Sequence, residues 1–240
     1  MIKSKIKEIT IKGRKVKYCL TRKNVKNINM RIKDDMMVHI SANNYVSVKE
    51  LEAVLFKNRE FIFSALDKAA KRLENEPIEN EIMYMGKKYK KCIIKSDLEK
   101  CSIDGDKFII EVRDTSDEEK IKKITEDWHN KKAKELFGEI NDMTAEIFSH
   151  FGIPKAEIKV RKMVSRWGRC SVNEGRIRIN RYLTEFPRAC AEYVFVHEYT
   201  HFIYRGHGKD FYGFVSKIFP DYKNIEKYLD TYGNLRNRKN

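Results

Sequence analysis

The first forty residues alternate between apolar and polar positions with a period of two. Ile9 and Ile11, then Val16, Tyr18 and Leu20, then Ile28, Met30 and Ile32, then Val38 and Ile40 fall on alternate positions. Gly13 and the pair Asp34-Asp35 sit where turns are needed, so this stretch predicts an antiparallel meander with one buried face. The period then lengthens. Ser47 and Glu50 form a capping-box signature, and Val48, Leu51, Val54, Leu55, Ile62 and Leu66 supply the inward face of a helix to about residue 74. After the interruption ENEPIEN, the stretches IMYMGKKYKKCIIK and KFIIEV read as strands, with Asp104-Gly105 as the turn before the second.

A second capping signature, Ser116 with Glu119, opens a long helix. Ile121, Ile124, Trp128, Leu136, Ile140, Met143 and Ile147 keep helical spacing to about residue 150, where Gly152 and Pro154 end it. Two short strands follow, EIKVRK and GRIRIN, the second entered through Asn173-Glu174-Gly175. Pro187 suits the start of a helix that should run to about Tyr204 and stop at Gly206. A last helix shows Phe211, Phe214, Val215 and Ile218 at i, i+3, i+4 and i+7. No internal repeat or low-complexity tract is evident. The pattern predicts an α+β fold: a basic β-rich region with one helix over residues 1–113, then a helical core with a small sheet over 114–240.

Composition narrows the setting. Of 240 residues, 41% are apolar and 35% charged, which suits a soluble globular protein, and no run is long enough to span a membrane. The N-terminus is basic but lacks the continuous apolar stretch of a secretory signal. Five cysteines with no CxxC pair point to a reducing compartment, so a cytoplasmic location is expected. The formal charge of +15 is concentrated in residues 1–33, where twelve Lys/Arg face Glu8 alone, and in residues 159–181, where eight face Glu174 alone. Such patches can attract nucleic acid, nucleoprotein or an acidic polypeptide, although no nucleic-acid recognition motif accompanies them.

The candidate chemistry lies in VFVHEYTHFIYRGH, residues 194–207, which holds three of the six histidines. His197 and His201 are four apart on a predicted helix, so both imidazoles leave one face and can reach a single zinc ion. Glu198 leaves the helix about 100° away, where it can reach a water in the fourth coordination position rather than the ion. This is the H-E-x-x-H arrangement of metal-assisted hydrolysis, with Glu198 as general base. Chance predicts on the order of 0.01 occurrences of it in a chain of this composition. The helix is apolar on either side of the pair, and burying two imidazoles and a carboxylate without a partner would be costly. His207, just past Gly206, is the favoured third ligand; Glu226 and Asp210 are its rivals. The spacing is not that of a metzincin, because Tyr204 stands where a glycine is needed and no methionine follows Met163.

The stretch RWGRCSVNEGRIRINRYLTEFPRACAEYVFVHEYTHFIYRGHGKDFYGFVSKIFPDYK, residues 166–223, resembles the YgjP-like metallopeptidase domain. Its WG-x-C turn, its strand ending in Asn, its YVxxHExxH helix, its third histidine and its PDYK end occur in family order. The upstream meander, capped helix, YMGKKY strand and long helix extend the likeness over nearly the whole chain. Arg169 stands where the family has a small residue, Gly208 where Ser is usual, and Tyr212 where Trp is usual. The resemblance implies a zincin-like core, His197, His201 and His207 as zinc ligands, Glu198 as the catalytic glutamate, and a polypeptide substrate. By analogy with zincins the strand before the metal helix is an edge that pairs with substrate, which assigns Arg176, Ile177, Arg178, Ile179 and Asn180 to substrate binding. The competing reading is a zinc-stabilised binding module without turnover, associated with nucleic acid or nucleoprotein. Cys170, as a nucleophile or a packed thiol, and Tyr199, Tyr204 or Tyr222, as oxyanion donors, remain open alternatives.

Overall fold

The computed structural model describes residues 4–33, 35–75 and 77–233. Asp34 of the expected turn, Glu76 of ENEPIEN, and the outermost residues of both expected regions lie outside these. The chain divides into two compact units. One holds residues 4–75 together with 230–233; the other holds 77–229. Residues 77–113 therefore group with the helical core and not with the N-terminal region.

In the first unit, β1 (Ser4–Ile11) and β2 (Arg14–Arg22) form a hairpin, followed by β3 (Asn29–Ile32) and β4 (Val38–Ala42). The expected meander is not what forms. The order is β1-β2-β4-β3, with β4 parallel to β2 and antiparallel to β3. Burial explains the swap: Val38, Ile40 and Ala42 are all buried, whereas no residue of β3 is, so β4 takes the interior position and β3 the edge. The predicted helix starts at Ser47 with both bonds of the capping box, but it breaks at Asn58 into α1 (Val48–Lys57) and α2 (Arg59–Asn75). Leu51, Leu55, Ile62 and Leu66 close over Ile11, Val16, Tyr18, Leu20, Val38, Ile40 and Ala42 to make the core.

The second unit opens with β5 (Glu81–Tyr84), β6 (Lys87–Lys95), β7 (Lys100–Asp104) and β8 (Lys107–Val112). IMYMGKKYKKCIIK is thus a hairpin rather than one strand, and β7 was not foreseen. The order β5-β6-β8-β7, again with one central parallel pair, reproduces the first sheet. Both hairpins turn on two residues with positive φ, Lys12-Gly13 and Met85-Gly86, as a type I′ turn requires. Glu8, Ile9, Gly13, Lys15, Lys17 and Cys19 recur at one constant spacing as Glu81, Ile82, Gly86, Lys88, Lys90 and Cys92. In both sheets the helix N-cap, Ser47 or Asp117, follows the last strand at the same distance. The chain therefore carries an internal repeat, contrary to expectation. Outside the hairpins its residues differ, and the turn between the third and fourth strands differs in length.

A long helix, α3 (Glu118–Ser149), follows, capped by Asp117, whose side chain accepts from the Lys120 amide at 2.9 Å. Ser116 bonds Asp114 instead of closing the predicted capping box. Trp128 on α3 meets Tyr84 and Phe108 edge-on at 4.9 and 4.8 Å, anchoring the helix to the second sheet. Beyond it come β9 (Glu157–Arg161), β10 (Gly168–Ser171), β11 (Arg176–Asn180), a 3-10 turn over Arg181–Glu185, α4 (Arg188–Thr200), α5 (Lys209–Ile218) and α6 (Tyr222–Tyr232). Neither β10 nor α6 was foreseen. The architecture is mixed α and β, with three small sheets and six helices among the described residues. None of those helices is long and apolar enough to cross a membrane.

His129 on α3 lies flat against Phe108, centroids 6.3 Å apart, and edge-on to Trp128. Burial first, and then the positive charge of Arg181, push its pKa down to about 4 from an ordinary 6.5. A depressed histidine pKa means that the unfolded chain binds the proton more readily, so stability is lost as pH falls from about 6.5 through about 4. At about 1.4 kcal/mol per unit, discounted for partial solvent access, the loss should be roughly 2 kcal/mol. In urea unfolding followed by tryptophan fluorescence, His129→Gln should flatten this part of the pH dependence; an unchanged slope would contradict it.

Candidate metal centre

The metal-binding candidates stand on, and just beyond, a helix that is enclosed almost all round. On α4, Cys190, Ala191, Tyr193 to Val196, Tyr199 and Thr200 are buried. α3 supplies much of the cover: Phe137 meets Phe195 at 6.0 Å, and Phe148 meets Tyr199 at 5.1 Å. The Tyr199 hydroxyl donates to Asn141 Oδ1 at 2.7 Å and accepts from the Ala156 amide at 3.0 Å. That commits it to the core and removes it from oxyanion binding. Tyr222 is also mostly buried and stacks on Tyr212 at 5.6 Å.

The helix stops at Thr200, earlier than the apolar pattern suggested, because the chain tightens and the His201 amide bonds the Glu198 carbonyl at 3.2 Å. The following turn folds the Tyr204 carbonyl back to accept from His201 Nδ1 at 3.1 Å, leaving Nε2 free. It also returns His207, whose Nε2 faces Nε2 of His197 at 3.0 Å. His197, His201 and His207 each offer a ligand atom, all within 4.8 Å of one another, a set that could hold a metal ion. Burial, helped by the neighbouring imidazoles, holds the His197 pKa down to about 4, and burial also lowers that of His201. Rings with converging nitrogens fit a cation better than they fit each other, since two facing nitrogens can share only one proton.

Two residues missed in the sequence shape this cluster. Phe211, the first buried residue of α5, contacts all three imidazoles, with centroids 5.0, 4.8 and 4.8 Å from His197, His201 and His207. Its place four residues after His207 was the available signal. Tyr193, four residues before His197, sets its hydroxyl 3.3 Å from His197 Nδ1 and donates to Glu226. Glu226 is therefore held behind His197 rather than beside the other imidazoles. Asp210 lies exposed in the first turn of α5, outside the cluster.

Glu198 is 6% exposed. Its carboxylate accepts from the Cys170 backbone N–H, and burial nevertheless drives its pKa up to about 7, against the influence of that bond and of Arg166. Gly168 explains the Trp-Gly pair. A Cβ there would stand 2.5 Å from Glu198 Oε1, so only glycine lets the strand pass. Trp167 anchors the approach by packing on Phe186 at 5.2 Å. The Cys170 thiol is pushed up to about 12, chiefly by burial, which suits a packed thiol and not a nucleophile.

A cleft of about 730 Å³ opens over the three histidines and Glu198, bordered by Ser165, Arg166, Gly168 to Glu174 and Arg205. The assignment of residues 176–180 as a substrate-pairing edge is corrected here. The sheet order is β10-β11-β9, so β11 is hydrogen-bonded on both sides and has no free edge. Ile177 and Ile179 are fully buried, and Arg176 is paired with Glu157 and Glu174. Asn180, also fully buried, donates to the carbonyls of Met163 and Arg166 at 2.9 Å and so fixes the loop that delivers Gly168. Arg178 lies on the outer face. The strand that borders the cleft, unpaired on its far side among the described residues, is β10. Away from the cluster, His39 pairs with Asp35 and His150 caps the end of α3.

The family model of the YgjP-like metallopeptidase domain matches residues 26–232. The chain belongs to that family. It is a metallopeptidase, which acts on polypeptides and implies a metal ion. No curated protein matches the chain. Among solved structures, the zymogen of abylysin from Pyrococcus abyssi is 20% identical, covering 40% of this chain and 92% of its own, with a TM-score of 0.36. The zymogen of jannalysin from Methanocaldococcus jannaschii is 25% identical, covering 38% and 93%, with a TM-score of 0.34.

Phe211→Ala would open a cavity beneath all three imidazoles. It should cost about 3–5 kcal/mol in urea unfolding and lower cobalt or zinc affinity, measured by competition with a chelator. Unchanged metal affinity would show that the phenyl ring does not hold the cluster.

Proposed function

We propose that this metallopeptidase is zinc-dependent, built on a zincin-like core, and cleaves peptide bonds at the cleft over α4. The observation that carries this reading is the convergence of three imidazoles beside one buried carboxylate, with an accessible cleft above them. Three nitrogen donors with an open side suit catalytic zinc better than a closed structural site. Bound at His197, His201 and His207, zinc would polarise the scissile carbonyl and acidify the attacking water. The Tyr204 carbonyl and the Tyr193 hydroxyl orient His201 and His197, so that their outer nitrogens present lone pairs. Glu198 accepts a proton at its carboxylate and delivers it to the departing amine. The free edge of β10 pairs with an extended substrate backbone beside Glu198.

Glu198→Gln should lower peptide cleavage by at least about 100-fold with zinc content unchanged; equal cleavage by the variant would remove Glu198 from the chemistry. Gly168→Ala should behave similarly, because its methyl displaces the carboxylate and leaves the histidines alone. A wild-type rate in Gly168→Ala would mean that the glutamate can act from another position. Elemental analysis of protein without a His-tag should find about one zinc per chain, and His207→Ala should lose most of it. Full retention would place the third ligand elsewhere.

A further inference from the structure

The small sheet that borders the cleft carries an unusual row of charge. Register pairs Arg169 on β10 with Arg178 on β11, and Arg178 with Lys159 on β9. Directly paired residues project from the same face, so three cations stand side by side across the strands. Lys159 has a carboxylate within reach, Glu157 at 3.6 Å, but Arg169 and Arg178 have no ion pair among the described residues. Like charges directly opposite each other oppose strand pairing. Something else must balance this row, and it ends at the open edge.

The cleft repeats the bias. Arg166, Arg169 and Arg205 border it, all exposed, and none is ion-paired among the described residues. Of the two carboxylates that border it, Glu174 is tied to Arg176, and Glu198 is buried below. A chain lying along β10 therefore meets cations and no free anion.

We infer that the cleft selects acidic polypeptide, with a substrate Asp or Glu paired opposite Arg169 on the edge of β10 and further carboxylates met by Arg166 and Arg205. This rests on the peptidase reading, because it takes β10 as the strand that substrate joins. Across a sheet, an opposite-charge pair beside Arg169 replaces repulsion with attraction and screens Arg178 behind it. The gain for one well-placed carboxylate is at most about five-fold in affinity, so selection accumulates over several acidic positions.

The test uses zinc-loaded full-length Glu198→Gln protein and fluorescein-labelled extended peptides that differ only in carrying Glu, Gln or Lys at alternate positions. Fluorescence anisotropy should rank Glu above Gln above Lys, with the spread shrinking at high salt. Arg169→Glu should narrow the preference for the Glu over the Lys peptide while the Gln peptide stays bound, a change that loss of folding would not produce. Equal binding of all three peptides, or a preference unaffected by Arg169→Glu, would overturn the inference. So would Arg169-dependent capture of a single-stranded oligonucleotide in preference to the Glu peptide, which would make the row a nucleic-acid contact. Cleavage assays on wild-type protein separate the two claims. Acidic binding without any cleavage sinks the peptidase reading alone, whereas cleavage without acidic preference sinks only the charge inference.

Discussion

The constraint on which the rest of this molecule depends is the enclosure of α4. A helix buried on nearly every side is an unfavourable place for imidazoles and a carboxylate, because polar groups removed from water must regain their hydrogen bonds. Three polar groups on α4 are met by partners from three different elements. Asn141 of α3 takes the Tyr199 hydroxyl, Glu226 of α6 takes Tyr193, and the Cys170 amide of β10 takes Glu198. The Nε2 atoms of His197 and His207, by contrast, face only each other. The surrounding elements thus leave to the histidine cluster the atoms a cation would use.

The same logic accounts for β10 and its approach. An edge strand can pass over a buried carboxylate only where its side chain vanishes, and Gly168 supplies that gap. Its position is set from the neighbouring strand by Asn180, whose side chain closes on the loop before Trp167. The second hairpin is drawn into this arrangement too. The amides of Met85 and Gly86 bond the carbonyls of Thr184 and Glu185, just ahead of α4. A Cβ on Gly86 would meet Pro187 at 2.9 Å, whereas one on Gly13, its counterpart in the first hairpin, would meet nothing within 4 Å. One copy of a repeated motif has been fitted to the α4 entry, and the other keeps the free turn.

Legibility in the sequence followed the range of the interactions. Features fixed within a few residues could be read: the Ser47 capping box, the long α3, the alternating Ile177 and Ile179, and the juxtaposition of His197 with His201. Features decided by competition between distant segments could not. β4 displaces β3 from the sheet interior because its three buried positions outweigh local order along the chain. β11 was assigned an edge by analogy with zincins, and nothing local opposed that, because β10, only four residues long and containing a glycine, gives almost no strand signal. The repeat was hidden because its identities crowd into one hairpin, while topology is shared by residues that need only be apolar. Tyr193 and Phe211 carry ordinary helix periodicity, and only their four-residue spacing from a histidine sets them apart from other core aromatics.

The third histidine shows how site and stability are joined. His197 and His201 are fixed by α4, but His207 lies exposed on the turn after it, and the Phe211 ring is what all three share. Docking α5 places Phe211, and Phe211 places His207 against its partners. Any cation held by all three imidazoles must then favour the docked arrangement of α5 by the same free energy with which docking favours cation binding, since linkage between two equilibria is reciprocal. The turn over residues 201–208 links the two, and it is exposed from Arg205 to Gly208. Tight binding there cannot come from the spacing of His197 and His201 alone, because two ligands at the end of α4 leave the third to be brought in by the following turn. Phe211 reduces the cost of that step beforehand, and it does so from inside the core, where a single aromatic ring couples the packing of α5 to the geometry of the centre.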